Sequence, residues 1–182
     1  MLRGNLSELW SFRVARAYYS TVFREPAAEV WKIIRDFNNY PVWVGGAGES
    51  AIEDGKSGDT VSAVRSVQYK GRHIRQRLLA LSDVERSQTY EFCEAPTLPM
   101  TGFRATLRVS EIVDGDGAFA EWWADFDCEG PAREEVCATL RGWFGQWLES
   151  LRRALGGGAT EGWQPSEDGS GPIRRLSPIY QG

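Results

Sequence analysis

Residues 58–81 read GDTVSAVRSVQYKGRHIRQRLLAL, two runs of alternating polarity on either side of the break YKGR. A short Gly-containing break between two such runs predicts an antiparallel hairpin. On the first strand, Val61, Ala63, Val67 and Tyr69 occupy one face, and the residue that completes that set is Arg65. On the second, Arg75 and Arg77 belong to solvent, which sends Ile74, Gln76, Leu78 and Ala80 inward. An arginine and a glutamine on otherwise apolar faces point to a face that lines a pocket instead of a solid core.

The same reading extends outward along the chain. Ala17, Tyr19, Thr21 and Phe23 alternate as a strand over 15–23, and Pro26 stands where a helix can begin without its missing N–H being felt. Ala27, Val30, Trp31 and Ile34 recur at helical spacing, so a helix spans 27–34. Pro41 and the pair Gly45-Gly46 limit DFNNYPVWVGG to a short helical or turn-rich piece. Further strands are expected at 49–53, 60–69, 73–82, 88–94, 102–113 and 118–128, separated by turn-forming breaks too short for parallel crossovers. A long helix follows over 131–155, with Val136, Leu140, Trp143, Phe144, Trp147, Leu148 and Leu151 as its apolar stripe. Gly142 and Gly145 interrupt it, either to let the helix cross a sheet closely or to leave room for a ligand.

This order of elements is α+β: a curved antiparallel sheet with its helices on one side. Residues 15–155 form one domain, with an N-terminal extension over 1–14 and a Gly/Pro/Ser-rich tail over 156–182. Alternation places Tyr90 and Phe92, then Phe103, Ala105, Leu107 and Val109, then Trp122 and its neighbours on the inner face. Large aromatics among alanines, with a few hydrogen-bonding groups, compose a pocket for a mostly apolar small molecule.

These residues resemble the polyketide cyclase/dehydrase and lipid-transport branch of the START-like (SRPBCC) superfamily, which has the pollen-allergen-like helix-grip fold. The resemblance covers about residues 15–155 and rests on PAAEVWKIIRDFNNYPVWVGG (26–46), GDTVSAVRSVQYKGRHIRQRLLALSD (58–83), TYEFCEAPTLPMTGFRATLRV (89–109) and AEWWADFD (120–127). It implies a seven-stranded sheet wrapped around the long C-terminal helix, two short helices after the first strand, and a cavity faced by Arg65, Gln76, Tyr90, Phe103 and Trp122. It also places Trp31 and Trp43 near the cavity mouth. Similar sequences often carry a glutamate where this one has Gln76 and a tyrosine where it has Phe103. A buried Arg–carboxylate pair and one phenol are thereby absent.

The chain has 182 residues, a net charge of -4 and three cysteines without metal-ligand spacing. The charge gives no reason to approach nucleic acid, and the cysteines suggest neither a disulfide framework nor a zinc site. The expectation is a cytoplasmic protein with no metal or cofactor and no integral membrane insertion, since no apolar run is long enough to span a bilayer. A homodimer is compatible with the sequence. His73, the single histidine, sits beside the hairpin turn, so a nucleophilic triad has no base to use.

A buried guanidinium must meet an anion, carbonyls or water. Arg65 therefore either binds a ligand carboxylate, enolate or phenolate with Gln76 orienting it, or is tied to loop carbonyls or a carboxylate near the rim. The ligand-binding candidates are Arg65, Gln76, Tyr90, Phe103, Trp122, Tyr69, Phe92, Trp143 and Trp147, although aromatics at helical spacing, as the last two are, usually belong to the core. A carrier or sensor for a small apolar or amphipathic molecule is the first reading. The second is a cyclase/aromatase or dehydratase that polarises a carbonyl in the same cavity, and a third is an interaction module with a filled core.

Overall fold

The structure is a computed structural model that describes residues 14–156. Strand β1 (Val14–Phe23) leads through Pro26 into α1 (Ala27–Ile34), whose buried face is made by the four residues that helical spacing selected: Ala27, Val30, Trp31 and Ile34. A single 3-10 turn (Phe37–Asn39) and the one-turn helix α2 (Tyr40–Trp43) follow. Asp36 caps the 3-10 turn, its carboxylate accepting from the Asn38 amide at 2.8 Å, which satisfies a donor the turn itself leaves open. Then come β2 (Ala47–Ile52), β3 (Val64–Tyr69), β4 (Arg72–Ser82), β5 (Ser87–Phe92), β6 (Thr101–Ile112) and β7 (Gly117–Asp127), and last the 22-residue α3 (Arg133–Ala154).

All seven strands form one antiparallel sheet in the order β1-β7-β6-β5-β4-β3-β2. Strands β2 to β7 are a meander, and β1 returns to pair with β7, so β1 and β2 are the two edges. The concave face is closed by α1, α2 and α3, with α3 lying chiefly against β1 and α2. This is the α+β helix-grip arrangement. The N-terminal extension and the tail lie, apart from Val14 and Gly156, outside the described residues.

Inner faces follow the alternation. Arg65 and Val67 on β3, Gln76 and Leu78 on β4, Tyr90 on β5, Phe103, Ala105, Leu107 and Val109 on β6, and Ala118, Ala120, Trp122, Ala124 and Phe126 on β7 are all buried. Two positions break it. The strand expected from residue 60 begins only at Val64, because Thr60–Ala63 closes a turn (Ala63 N to Thr60 O, 2.9 Å) around Ser62 at φ 74. Val61 is turned out to solvent, 51% exposed. On β4 a register shift between Leu78 and Ala80 displaces Ala80 from the inner face.

The two helix glycines differ. A Cβ at Gly145 would lie 3.2 Å from the Tyr19 ring on β1, so this glycine permits close helix–sheet approach. Gly142 faces open space with nothing within 4 Å of a Cβ. Neither borders the pocket described below.

Candidate functional site

Arg65 and Gln76 are directly paired residues of β3 and β4, and both point inward because they share the phase of Val67 and Leu78. Arg65 is 2% exposed. Its guanidinium is sandwiched between the rings of Phe37 and Tyr40, with each ring centroid 3.9 Å from Cζ. Nη1 donates to the Phe37 carbonyl at 2.5 Å, and Nη2 donates to Gln76 Oε1. Nε is buried without a partner, and among the described residues no carboxylate forms an ion pair with Arg65. Burial pushes this guanidinium down to about 10, against weaker upward pulls from Tyr40, Tyr90 and Asp36.

The guanidinium is a donor only, so it determines which way the Gln76 amide faces: the oxygen must meet Arg65 and the NH2 must face elsewhere. Gln76 is 5% exposed, and its Nε2 has no protein acceptor among the described residues.

The interior beside this pair is filled. Trp122 stacks on Phe144 with centroids 4.9 Å apart and planes 10° from parallel, and it also meets Trp43 and Trp147. Phe103 packs on Phe92 at 4.6 Å and on Tyr90 at 6.3 Å. Burial pushes the Tyr90 hydroxyl up, and Arg65 and the Trp122 indole partly oppose this; the indole N–H itself has no partner of good hydrogen-bond geometry. Tyr40 is likewise held well above the ordinary tyrosine value by burial.

Open space begins on the hairpin side of this packed region. A pocket of about 400 Å³ lies between the β3–β4 hairpin, the β5–β6 loop and α3. Of the residues expected to line a cavity, Gln76, Tyr69, Phe92, Trp143 and Trp147 border this pocket. Arg65, paired with Gln76, does not line it; Tyr90 and Trp122 belong to the packed interior, and Phe103, packed on Phe92, lines a separate recess of about 320 Å³ with Met100 and Arg104. Trp147 Nε1 donates to the Tyr69 hydroxyl at 2.9 Å, leaving that hydroxyl its own proton to give. A smaller recess of about 160 Å³ shares Arg72, Ile74, Phe92, Thr97 and Trp143 with it and extends toward Leu98 and Met100.

Sequence reasoning did not select Tyr40, Lys70, Arg72 or Thr97, which also line the pocket. Lys70 and Gly71 both have positive φ (47 and 75), the two-residue turn that matches the twist of a hairpin. That turn brings Lys70 and Arg72 to the rim. Trp43 is buried against Trp122, and Trp31 Nε1 donates to Asp83 at 3.0 Å, so both serve the packing of the fold. His73 is exposed, with Nε2 2.5 Å from Ser66 Oγ. Among the described residues no cluster of His, Cys, Asp and Glu could hold a metal ion, and no helix is long and apolar enough to cross a membrane.

Residues 15–156 match the family described as polyketide cyclase/dehydrase and lipid transport. Among solved structures, an uncharacterized protein from Bacillus thuringiensis is 27% identical, with a TM-score of 0.68 over 78% of this chain and 98% of its own. The protein XoxI from Bacillus cereus is 28% identical, with a TM-score of 0.67 over 77% and 94%. A protein from Thermobifida fusca is 25% identical, with a TM-score of 0.68 over 78% and 94%. No curated protein matches the chain.

Proposed function

The chain belongs to the polyketide cyclase/dehydrase and lipid transport family, and from that premise we propose that it binds a small, mostly apolar or aromatic molecule in the hairpin-side pocket, as a carrier or sensor. The observation that carries this reading is the pocket itself. Its volume of about 400 Å³ falls in the range of small-molecule sites, roughly 300–1,000 Å³, and such sites combine apolar walls with a few placed polar groups. Here the walls are Val67, Ile74, Phe92, Trp143 and Trp147, and the polar groups are Gln76, Tyr69, Tyr40 and Thr97, with Lys70 and Arg72 at the rim.

Binding is favoured over turnover by the chemistry of that wall. Among the pocket-lining residues there is no carboxylate and no histidine, whereas general acid–base catalysis works best with a group whose pKa lies near the operating pH. The two tyrosines with displaced values, Tyr40 and Tyr90, are both pushed further from neutrality. The cyclase or dehydratase reading retains one supporting feature: the Gln76 N–H and Tyr69 O–H are the kind of donors that polarise a carbonyl.

Trp143 and Trp147 make the test direct, because a ligand in the pocket contacts two indoles. Intrinsic fluorescence and thermal stability should be followed during titration with decanoate, oleate, a flavonoid and a sterol. At least one should give a saturable fluorescence change together with stabilisation, about 2.7 kcal/mol at 100 times its Kd. Ile74→Trp, which fills the pocket from β4, should abolish both responses while leaving the fold intact. A panel without saturable binding, or binding unaffected by Ile74→Trp, would overturn the proposal.

A further inference from the structure

Apart from the Tyr40 and Thr97 hydroxyls, which can donate or accept, the polar side chains around the pocket present hydrogen-bond donors. At the inner end, Arg65 takes the oxygen of the Gln76 amide, so only the NH2 of Gln76 can meet a ligand. Toward the mouth, the Tyr69 hydroxyl already accepts from Trp147 Nε1 and is left to donate. At the rim, Lys70 and Arg72 border the pocket, and among the described residues neither forms an ion pair with a carboxylate. The adjoining recess is lined by one acidic group, Glu94, which is engaged by Arg75 at 2.6 Å. Lys70 Nζ lies 5.3 Å from the centroid of the Tyr69 ring, which keeps its charge over the mouth.

Geometry fixes the spacing of the two ends. Gln76 is four residues along β4 from Arg72, which at roughly 3.3 Å per residue sets their backbone positions about 13 Å apart. Between them lie Ile74, Val67, Phe92 and the two indoles, a mostly apolar span. A ligand matching both ends leaves no donor of this set unpaired, whereas one bearing donors at its inner end faces N–H against N–H or O–H.

From this arrangement, and resting on the binding function proposed above, we infer that the pocket takes an elongated apolar acid: its anionic group sits at the rim with Lys70 and Arg72, and a carbonyl-type acceptor at its far end meets the Gln76 NH2. Arg65 is a positioning residue in this scheme. It touches no part of the ligand and acts by holding the amide in one orientation.

Four probes separate the components: 9-oxodecanoate, its methyl ester, decanoate, which lacks the ketone, and 9-hydroxydecanoate, which can donate where the ketone only accepts. Binding is read by tryptophan fluorescence and calorimetry on the full chain. The keto acid should bind at least tenfold more tightly than its ester and about fivefold more tightly than decanoate. In the Lys70→Gln/Arg72→Gln double variant the advantage over the ester should vanish, while the advantage over decanoate persists.

Gln76→Glu supplies the decisive variant, because a carboxylate keeps a partner for Arg65 and turns the inner end from donor to acceptor. It should reverse the order of the keto and hydroxy acids, with the wild-type stability retained. Equal binding of acid and ester, or an unchanged keto preference in Gln76→Glu, overturns this inference and leaves the binding function standing. Absence of saturable binding by all four probes overturns this inference, and the binding function falls with it only if oleate, the flavonoid and the sterol also fail to bind.

Discussion

If Gln76 is held by Arg65, the two side chains must be energetically coupled, and a double-mutant cycle with methionine at both positions measures that coupling. Gln76→Met removes one of the two hydrogen bonds of a guanidinium that has no carboxylate partner. Hydrogen bonds to charged groups contribute roughly 1.5–3 kcal/mol, so this variant should lose about 3 kcal/mol. Arg65→Met strands two acceptors, the Phe37 carbonyl and Gln76 Oε1, at about 1–3 kcal/mol each. It also relieves a buried charge: lowering an arginine from 12.5 to about 10 corresponds to about 3 kcal/mol at roughly 1.4 kcal/mol per unit. The net loss for Arg65→Met is therefore about 1 kcal/mol. The double variant leaves only the Phe37 carbonyl unpaired, at about 2 kcal/mol, against the same relief, and should therefore gain about 1 kcal/mol, so the singles sum to about 5 kcal/mol more than the double. Urea unfolding with m-values checked for constancy reads these quantities. Additivity within about 0.5 kcal/mol would refute the claim that Arg65 and Gln76 act as a unit.

Other perturbations follow from the packing. Gly142→Ala, exposed and without neighbours, should stabilise by about 0.5–1 kcal/mol through helix propensity, while Gly145→Ala should gain less because its Cβ meets Tyr19; denaturation midpoints compare the two. Gly58→Ala would place a Cβ 1.9 Å from Asp36 Oδ1, displacing the cap of the 3-10 turn, and should lose about 1 kcal/mol in the same assay. The carboxyls of Asp59, Asp83 and Glu53 are held below their ordinary values chiefly by hydrogen bonds, Asp59 from Ser57 and then Arg35, Asp83 from Arg35 and Glu53 from Arg75. A lowered carboxyl contributes stability above its unfolded value, near about 4, and loses it as pH falls through the folded one. Thermal midpoints should therefore drop below about pH 4, and Asp83→Asn should flatten that drop while lowering the midpoint at pH 7.

How far the sequence reveals this molecule depends on which interactions are periodic. Strand faces obey a period of two, so Arg65, Gln76, Tyr90, Phe103 and Trp122 were all placed inside from alternation alone, and α1 from its four apolar positions. The period fails at Val61 and Ala80, where Ser62 at positive φ and a register shift re-aim the chain, and neither carries a mark in composition. Arg65's partner was out of reach for a different reason. The acceptor is the carbonyl of Phe37, 28 residues away, in a 3-10 turn whose shape depends on a side-chain cap and on the Phe37 amide donating to Gly58 at 3.0 Å. Lys70 and Arg72 were missed because polar residues in a turn look like solvated surface. Only the twist of the hairpin brings them to the pocket rim.

The missing carboxylate gives the Arg65–Gln76 pair its meaning. A glutamate opposite Arg65 would neutralise the cation but offer the pocket an acceptor, its second oxygen. A glutamine leaves the charge formally uncompensated and offers the pocket a donor, while the Phe37 carbonyl and the faces of Phe37 and Tyr40 carry the cation. Cation–π contacts reach about 2 kcal/mol when desolvated, enough for two stacked rings to offset much of the burial penalty of about 3 kcal/mol inferred from the lowered pKa. The arginine is thus held by the short helical segment after α1 as well as by its neighbour in the sheet that bears it. The polarity of the pocket's inner end is then decided by a single side chain, Gln76, whose orientation the arginine enforces.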